Sequence, residues 1–242
     1  MILSGLRQVT RQDRQFLRVF AAYWLLGLVS NAVRTSRTAP PSLQVGVAIV
    51  MLLATVAWVA YLAKGVRTRR YGGQDLGFTV DNTRAIVLTV LAAAYAVYAV
   101  LRLPSPGLER PVTLVLPVVA VIVEEIVFRP LLIRALQRAL AARRRPLLWA
   151  VVVGTLLWAA GHLPSYSLAN VVGGHILGGL LFGALYAFSG SNVIGFVVHA
   201  SANAGGVGSA VVLVLYLLLA VLLPTRDGDL MPYNSGVLTK AD

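Results

Sequence analysis

Two adjacent carboxylates and an arginine interrupt a segment that is otherwise apolar. Glu124, Glu125 and Arg129 are the charged residues between Val118 and Leu132. Charged side chains in apolar surroundings are costly unless they are paired or have a chemical task. Glu125 and Arg129 are four residues apart with the acid first, the favoured order for an ion pair on one helix face. Glu124 projects about 140° away from Arg129, which predicts a separate role for it; the alternative is one polar brace formed by all three.

The other polar residues that could take part in a reaction are histidines and one asparagine. The chain has three histidines, His162, His175 and His199. His199 and Asn203 are four residues apart and therefore share a helix face, as do Trp158 and His162. His175 has no partner at helical spacing, which favours a packed, hydrogen-bonded histidine, although its role is left open.

Helix arithmetic places these groups at one depth. Glu124 lies 19 residues before Arg143 and His162 lies 19 residues after it. At about 1.5 Å per residue both are about 28 Å from a turn near Arg143. His199 and Asn203 lie about 14–20 Å from a turn at Ser189–Ser191. The turn near Arg143 has to project further out, because Arg134 and Arg138 must reach the polar surface, so the two depths are compatible. The spacing therefore predicts that Glu124, His162, His199 and Asn203 approach one buried place.

Such a set can hydrolyse a peptide bond. A carboxylate and an imidazole can hold and deprotonate a water molecule, which assigns Glu124 and His162 to that step. His199 and Asn203 can donate hydrogen bonds to the oxygen that becomes negative when water attacks a carbonyl. A metal site made of Glu and two His is possible in principle, but the HExxH motif is absent. We predict that the reaction uses neither a metal nor another cofactor.

Composition specifies where this chemistry would occur. The 242 residues are 58% hydrophobic and 12% charged, without cysteine, and the mean hydropathy is +0.78. A typical soluble domain is about 45–50% apolar and about 25% charged, so the chain is predicted to be an integral membrane protein with the lipid bilayer as a partner. The formal charge of +12 is accordingly assigned to a membrane surface, and no nucleic-acid partner is expected. Without cysteine, disulfides and thiol chemistry are excluded.

Apolar runs predict an all-α, polytopic membrane bundle of about eight transmembrane helices. The predicted spans are about Phe16–Val33, Leu43–Ala63, Ala85–Leu101, Pro111–Leu136, Pro146–His162, Leu168–Phe188, Asn192–Gly206 and Ser209–Leu223. The corresponding regions are residues 1–110 with three helices, a five-helix catalytic core over 111–223, and a polar tail over 224–242. In the sixth span the small residues Gly174, Gly178, Gly179 and Gly183 predict close helix packing.

Charge asymmetry predicts the orientation. If the N-terminus is cytoplasmic, the inner segments contain 16 of the 21 lysines and arginines and the outer segments four, as the positive-inside rule requires. Both termini are therefore predicted to be cytoplasmic, in a cell-membrane protein. Arg7, Arg11, Arg14 and Arg18 are spaced for an amphipathic lead-in on an anionic leaflet. A cleaved signal peptide is the alternative, but no clear small-residue cleavage site follows the basic segment.

Three short motifs resemble those of a known family. Glu124-Glu125-Ile-Val-Phe-Arg129 matches EExxxR, Trp158-Ala-Ala-Gly-His162 is similar to FxxxH, and His199-Ala-Ser-Ala-Asn203 matches HxxxN. In this order they resemble the CPBP (CAAX protease and bacteriocin-processing, or Abi) family, which includes the Ras-converting CAAX endoproteases. The resemblance covers about residues 111–206.

The resemblance implies an eight-helix intramembrane glutamic endopeptidase that acts on a membrane-associated peptide or protein. It implies that Glu124 and His162 are catalytic residues and that His199 and Asn203 form the oxyanion site. Glu125 and Arg129 would be a supporting pair. Because the family was long described as metalloproteases, a member can still carry the label metalloprotease. Trp158 is a further supporting residue and stands where the family has Phe. Pro130 stands where Gly is common; it removes one helix hydrogen bond and favours a kink next to the site.

Two other classes of function remain open on sequence alone. A non-catalytic scaffold or bacteriocin-immunity protein of the same fold would keep the buried polar residues for structure. A transporter would use intramembrane Glu and His as a proton relay, but no inverted repeat of broken helices is visible in the sequence.

Overall fold

The computed structural model describes residues 10–105, 111–163 and 165–224. Helices and short turns make up this part of the chain, and it contains no strand, which confirms the predicted all-α class. In chain order the elements are α1 (Arg11–Thr35), α2 (Pro41–Arg67), a 3₁₀ turn (Gln74–Leu76), α3 (Thr83–Arg102), α4 (Pro111–Ile126), a π-helical turn (Val127–Leu131), α5 (Leu132–Ala139), α6 (Pro146–Ala160), α7 (Leu168–Asn170), a second π-helical turn (Val171–Ile176), α8 (Leu177–Ser189) and α9 (Val193–Leu222).

Within the described residues, five segments are long and apolar enough to cross a bilayer, and the chain is a multi-pass membrane protein. They are Asp13–Thr35, Pro41–Arg67, Thr83–Arg102, Leu168–Ser189 and Val193–Leu222. Large apolar side chains point outward from them, including Leu53 at 62% and Val221 at 79% exposure. Such surfaces suit lipid rather than water. The count of eight spans stays a prediction, because α6 and the segment from α4 to α5 fall outside these five.

The chain divides into two compact units, residues 1–63 with 132–183 and residues 64–131 with 184–242. The sequence-based division after residues 110 and 223 groups consecutive predicted helices and does not describe compact units. These two boundaries stay predictions. Several predicted features lie outside the described residues, namely Arg7 of the lead-in, the loop around Arg110 and the polar tail from residue 225 onward.

In the first unit, α1 is one continuous helix that includes Arg11, Arg14 and Arg18 of the predicted lead-in. Thr10 caps it, since its side chain accepts a hydrogen bond from the Asp13 backbone while the Asp13 carboxylate accepts one from the Thr10 backbone. The Asp13 carboxylate also accepts a 2.6 Å hydrogen bond from Arg138 Nη1. This buried carboxylate connects the start of α1 to α5. Arg11 and Arg14 belong to the same helix as the first predicted span.

In the second unit, α9 reverses direction at Gly205. One straight helix of 30 residues would be about 45 Å long. Instead, Ser209 Oγ donates to Val197 O at 3.2 Å, and the Ser191 and Tyr216 hydroxyls are 2.6 Å apart. Two antiparallel arms are therefore joined at Gly205, as expected for the separate seventh and eighth predicted spans.

The reversal depends on glycine. Gly205 has φ 68° and ψ −164°, a conformation essentially limited to glycine. A Cβ atom there would overlap the Pro104 carbonyl oxygen. The first arm can therefore end close to the C-terminal end of α3, and it presents His199 and Asn203 on successive turns.

Candidate active site

A widened helical turn follows the two glutamates. α4 ends at Ile126, and Val127–Leu131 form a π-helical turn that contains Pro130. Proline has no backbone N–H, so it cannot donate the regular hydrogen bond to the carbonyl four residues earlier. The hydrogen bond predicted to be missing at Pro130 thus lies in a π-helical turn, and the kink expected there stays a prediction. Turns of this kind are frequent at functional sites, and this one places Glu124 and Glu125 at the end of a regular helix.

Glu125 is the centre of a buried polar network. Its Oε2 lies 3.3 Å from Arg129 Nε, and both side chains are 1% exposed. The predicted pair is therefore present. Its other oxygen, Oε1, lies 2.9 Å from His199 Nδ1. Glu125 thus connects the π-helical turn to the first arm of α9, across 74 residues of sequence.

Asn192 supports this network, although it was not a predicted site residue. Its Nδ2 donates to the Glu125 backbone carbonyl at 2.9 Å, and its backbone N–H donates to Gly77 O at 3.0 Å. Gly195, one turn later, leaves room for the acid, since a Cβ atom there would lie 2.6 Å from Glu125 Oε2. An asparagine after the Ser-Gly-Ser turn resembles an ordinary helix cap, so its sequence context carried no signal for this role.

Glu124 has a different environment from its neighbour. Its side chain is 32% exposed, and its Oε2 lies 3.9 Å from His199 Nε2. Glu125 reaches the other ring nitrogen of the same histidine. The two glutamates therefore divide as predicted from helix geometry: Glu125 is buried in the ion pair, whereas Glu124 is accessible beside an imidazole.

The contact with Glu125 constrains the protons of His199. An ionised carboxylate only accepts hydrogen bonds, so Nδ1 of His199 carries a proton. Nε2 can then donate only when the ring is doubly protonated. Asn203 lies four residues further along the first arm, and its side chain is exposed. The oxyanion role of both residues stays a prediction, and for His199 it requires the charged ring.

His162 belongs to the first unit, where it follows the C-terminal end of α6. Its Nδ1 lies 2.9 Å from the Trp158 carbonyl oxygen. A carbonyl oxygen only accepts, so Nδ1 is the donor and Nε2 of the neutral ring has a lone pair. The Trp158 ring is 6% exposed and lies 4.9 Å from the His162 ring, between centroids. The sequence-predicted partnership of His162 with Glu124 stays a prediction.

His175 has more partners than its spacing indicated. It lies in the second π-helical turn, and its Nδ1 is 3.4 Å from Asn170 O. Its ring is close to three aromatic side chains, with centroid distances of 4.2 Å to His162, 4.8 Å to Tyr166 and 5.3 Å to Trp158. Two of these rings, those of His162 and Trp158, belong to residues 13 and 17 positions away, which explains why spacing within one helix did not indicate them.

A protein metal site is built from several His, Cys, Asp or Glu side chains. Over residues 10–105, 111–163 and 165–224, no three or more His, Asp or Glu side chains form a group that could hold a metal ion. This observation does not test the expected absence of a metal cofactor, which stays a prediction.

One family model matches the part of the chain that contains the three motifs. The family model described as type II CAAX prenyl endopeptidase Rce1-like matches residues 106–205. All three motifs lie within that range. No curated protein and no solved structure matches the chain. This match supports a CAAX-protease-like protein of the CPBP family, and the resemblance stated from the motifs is confirmed.

Proposed function

We propose that this protein is an intramembrane glutamic endopeptidase and that Glu124 is its general base. The observation that carries the proposal is the division between two adjacent acids. Glu125 is 1% exposed and engaged with Arg129 and His199, whereas Glu124 is 32% exposed and lies beside His199 Nε2. An accessible carboxylate held beside a fixed ion pair is suited to take up and release a proton.

The proposed reaction is hydrolysis of one peptide bond. Glu124 accepts a proton from a water molecule, and the water oxygen attacks the carbonyl carbon. His162, with the lone pair on Nε2, is the second group that orients the water. The oxygen of the tetrahedral intermediate accepts hydrogen bonds from Asn203 and from doubly protonated His199. The C–N bond then breaks, and the leaving nitrogen takes the proton from Glu124. No metal or other cofactor takes part.

The substrate is proposed to be a membrane-associated peptide or protein. The accessible acid is in an apolar helix of a multi-pass membrane protein, so the scissile bond has to reach it from the bilayer or its surface. The family match supports a CAAX-protease-like specificity in general, and no nucleic acid is expected to bind.

The cellular orientation is part of the proposal, with both termini in the cytoplasm. Sixteen basic residues on one side against four on the other make the opposite orientation unfavourable. Reporter domains fused after Arg145 and after Asp242 should both report the cytoplasm. A periplasmic or extracellular signal at either position would contradict the predicted topology.

A non-catalytic scaffold or immunity protein is the second candidate. The observation in its favour is the buried network of Glu125, Arg129, His199 and Asn192, because such networks can be retained for structure alone. This candidate does not account for the exposure of Glu124, which belongs to the same apolar helix as Glu125 but is 32% exposed beside His199.

Comparison of protein N-termini in membranes tests the proposal. Membranes that contain the wild-type protein should accumulate new N-termini that are missing with Glu124→Ala, and the inactive variant should co-purify with the uncut partner. The purified protein should cleave the same partner in EDTA. Identical N-termini with both proteins would favour the scaffold. Activity lost in EDTA and restored by zinc would replace the glutamic mechanism with a metal-dependent one.

A further inference from the structure

His175 is brought to α6 by a close approach of two helices. Gly179, one turn after it, packs against α6; a Cβ atom there would lie 2.8 Å from Thr155 Cγ2 and 3.1 Å from Trp158 Cε3. Without a side chain at this position, α8 can lie directly against α6. The preceding π-helical turn, Val171–Ile176, then directs His175 toward the end of α6, where Trp158 and His162 are.

Among the described rings near His175, the imidazole of His162 has the shortest centroid distance. The ring centroids of His162 and His175 are 4.2 Å apart with an interplanar angle of 36°. The Tyr166 ring is also close to this pair, with its centroid 4.8 Å from that of His175 and 6.0 Å from that of His162. Trp158 is near both histidines. His162 is therefore enclosed by three flat side chains.

The surrounding rings restrict the direction in which Nε2 of His162 points. The hydrogen bond from Nδ1 of His162 to the Trp158 carbonyl fixes one ring atom, but rotation about that contact would still swing Nε2 through an arc. A ring packed on the face of the imidazole opposes such rotation. His175 can do this because its own Nδ1 faces Asn170 O, which orients its ring in turn.

We propose that His175 is a positioning residue for His162: its ring packs on the imidazole of His162 and fixes the direction of the Nε2 lone pair. The proposal rests on the function proposed above, in which His162 orients the attacking water. His175 itself does not touch the substrate. Its contribution comes from the flat ring, and an aromatic side chain without titrating nitrogens should replace it.

Kinetics of two variants test the proposal. His175→Ala removes the ring and should lower kcat roughly 10- to 100-fold, the usual effect of a small misplacement of a reacting group, with KM changed less than about twofold. His175→Phe keeps a ring of similar size and should restore kcat to within about threefold of wild type. If His175→Ala keeps full kcat, or if His175→Phe is as slow as His175→Ala, the proposal is wrong.

Nuclear magnetic resonance gives a readout that does not depend on cleavage. The chain contains three histidines, so ¹⁵N-histidine labelling gives few signals, and His162→Gln assigns the signal of His162. Wild type and His175→Phe should show His162 protonated at Nδ1, whereas His175→Ala should show exchange between tautomers. An unchanged His162 signal in His175→Ala contradicts the positioning role. If the signals change as expected but wild type cleaves nothing, the positioning role stands and the proposed function fails.

Discussion

Replacing Glu124 by glutamine should abolish peptide cleavage while leaving the free energy of unfolding nearly unchanged. Glutamine has the shape of glutamate but cannot accept the proton of the attacking water, and loss of a general base lowers kcat roughly 10²- to 10⁴-fold. The fold should tolerate the change, because the Glu124 side chain is 32% exposed and the ion pair with Arg129 is made by Glu125. Turnover of the substrate and unfolding in mild detergent measure the two quantities.

Asp81→Asn is the matched acid-to-amide control. Asp81 lies in the loop before α3, where partial burial raises its pKa, but hydrogen bonds from Thr79, Gln74 and Asn82 outweigh burial and lower the pKa overall. A lowered pKa means that the carboxylate stabilises the fold above its unfolded-state pKa and loses this effect as pH falls. Asp81→Asn should therefore lower stability at neutral pH and leave kcat of the folded protein unchanged. Full activity of Glu124→Gln would contradict the assignment of the general base.

Local features of the site were predictable from the sequence because they depend on spacing within one helix. The pairing of Glu125 with Arg129 follows from four-residue spacing, and the irregular turn at Pro130 follows from a missing N–H. Helix ends agreed to within a few residues for the same reason: proline, asparagine and polar caps act locally. Even the separation of the last two predicted spans was correct, because glycines at positions 205 and 206 interrupt the apolar pattern.

The remaining features depend on contacts between distant parts of the chain. The hydrogen bond from His199 to Glu125 spans 74 residues, and the bond from Asn192 to the Glu125 carbonyl spans 67. Periodicity reports which face a residue occupies, but it does not report which neighbour that face meets. This is why the sequence assigned His199 only to the oxyanion, whereas the structure also connects it to the buried ion pair and thereby restricts its protonation.

Loss of the buried ion pair between Glu125 and Arg129 should cause a large decrease in the free energy of unfolding. Arg129→Leu should lower the free energy of unfolding by about 3–5 kcal/mol, the cost of leaving one partner of a buried pair uncompensated. Arg129 is 0% exposed, so water cannot replace the lost guanidinium beside Glu125. Unfolding by urea or dodecyl sulfate in detergent micelles measures the change.

A double-mutant cycle separates the pair from the packing of the arginine chain. Glu125→Gln removes the stranded charge, so the double variant Glu125→Gln/Arg129→Leu should be more stable than Arg129→Leu alone. The difference should exceed about 1 kcal/mol, because neutral groups of similar shape are tolerated where single charges are not. Additive effects of the two substitutions would mean that Arg129 stabilises the helix through its apolar stem rather than through Glu125. In that case the position of Glu125 beside the site would depend on its hydrogen bonds with His199 and Asn192 instead.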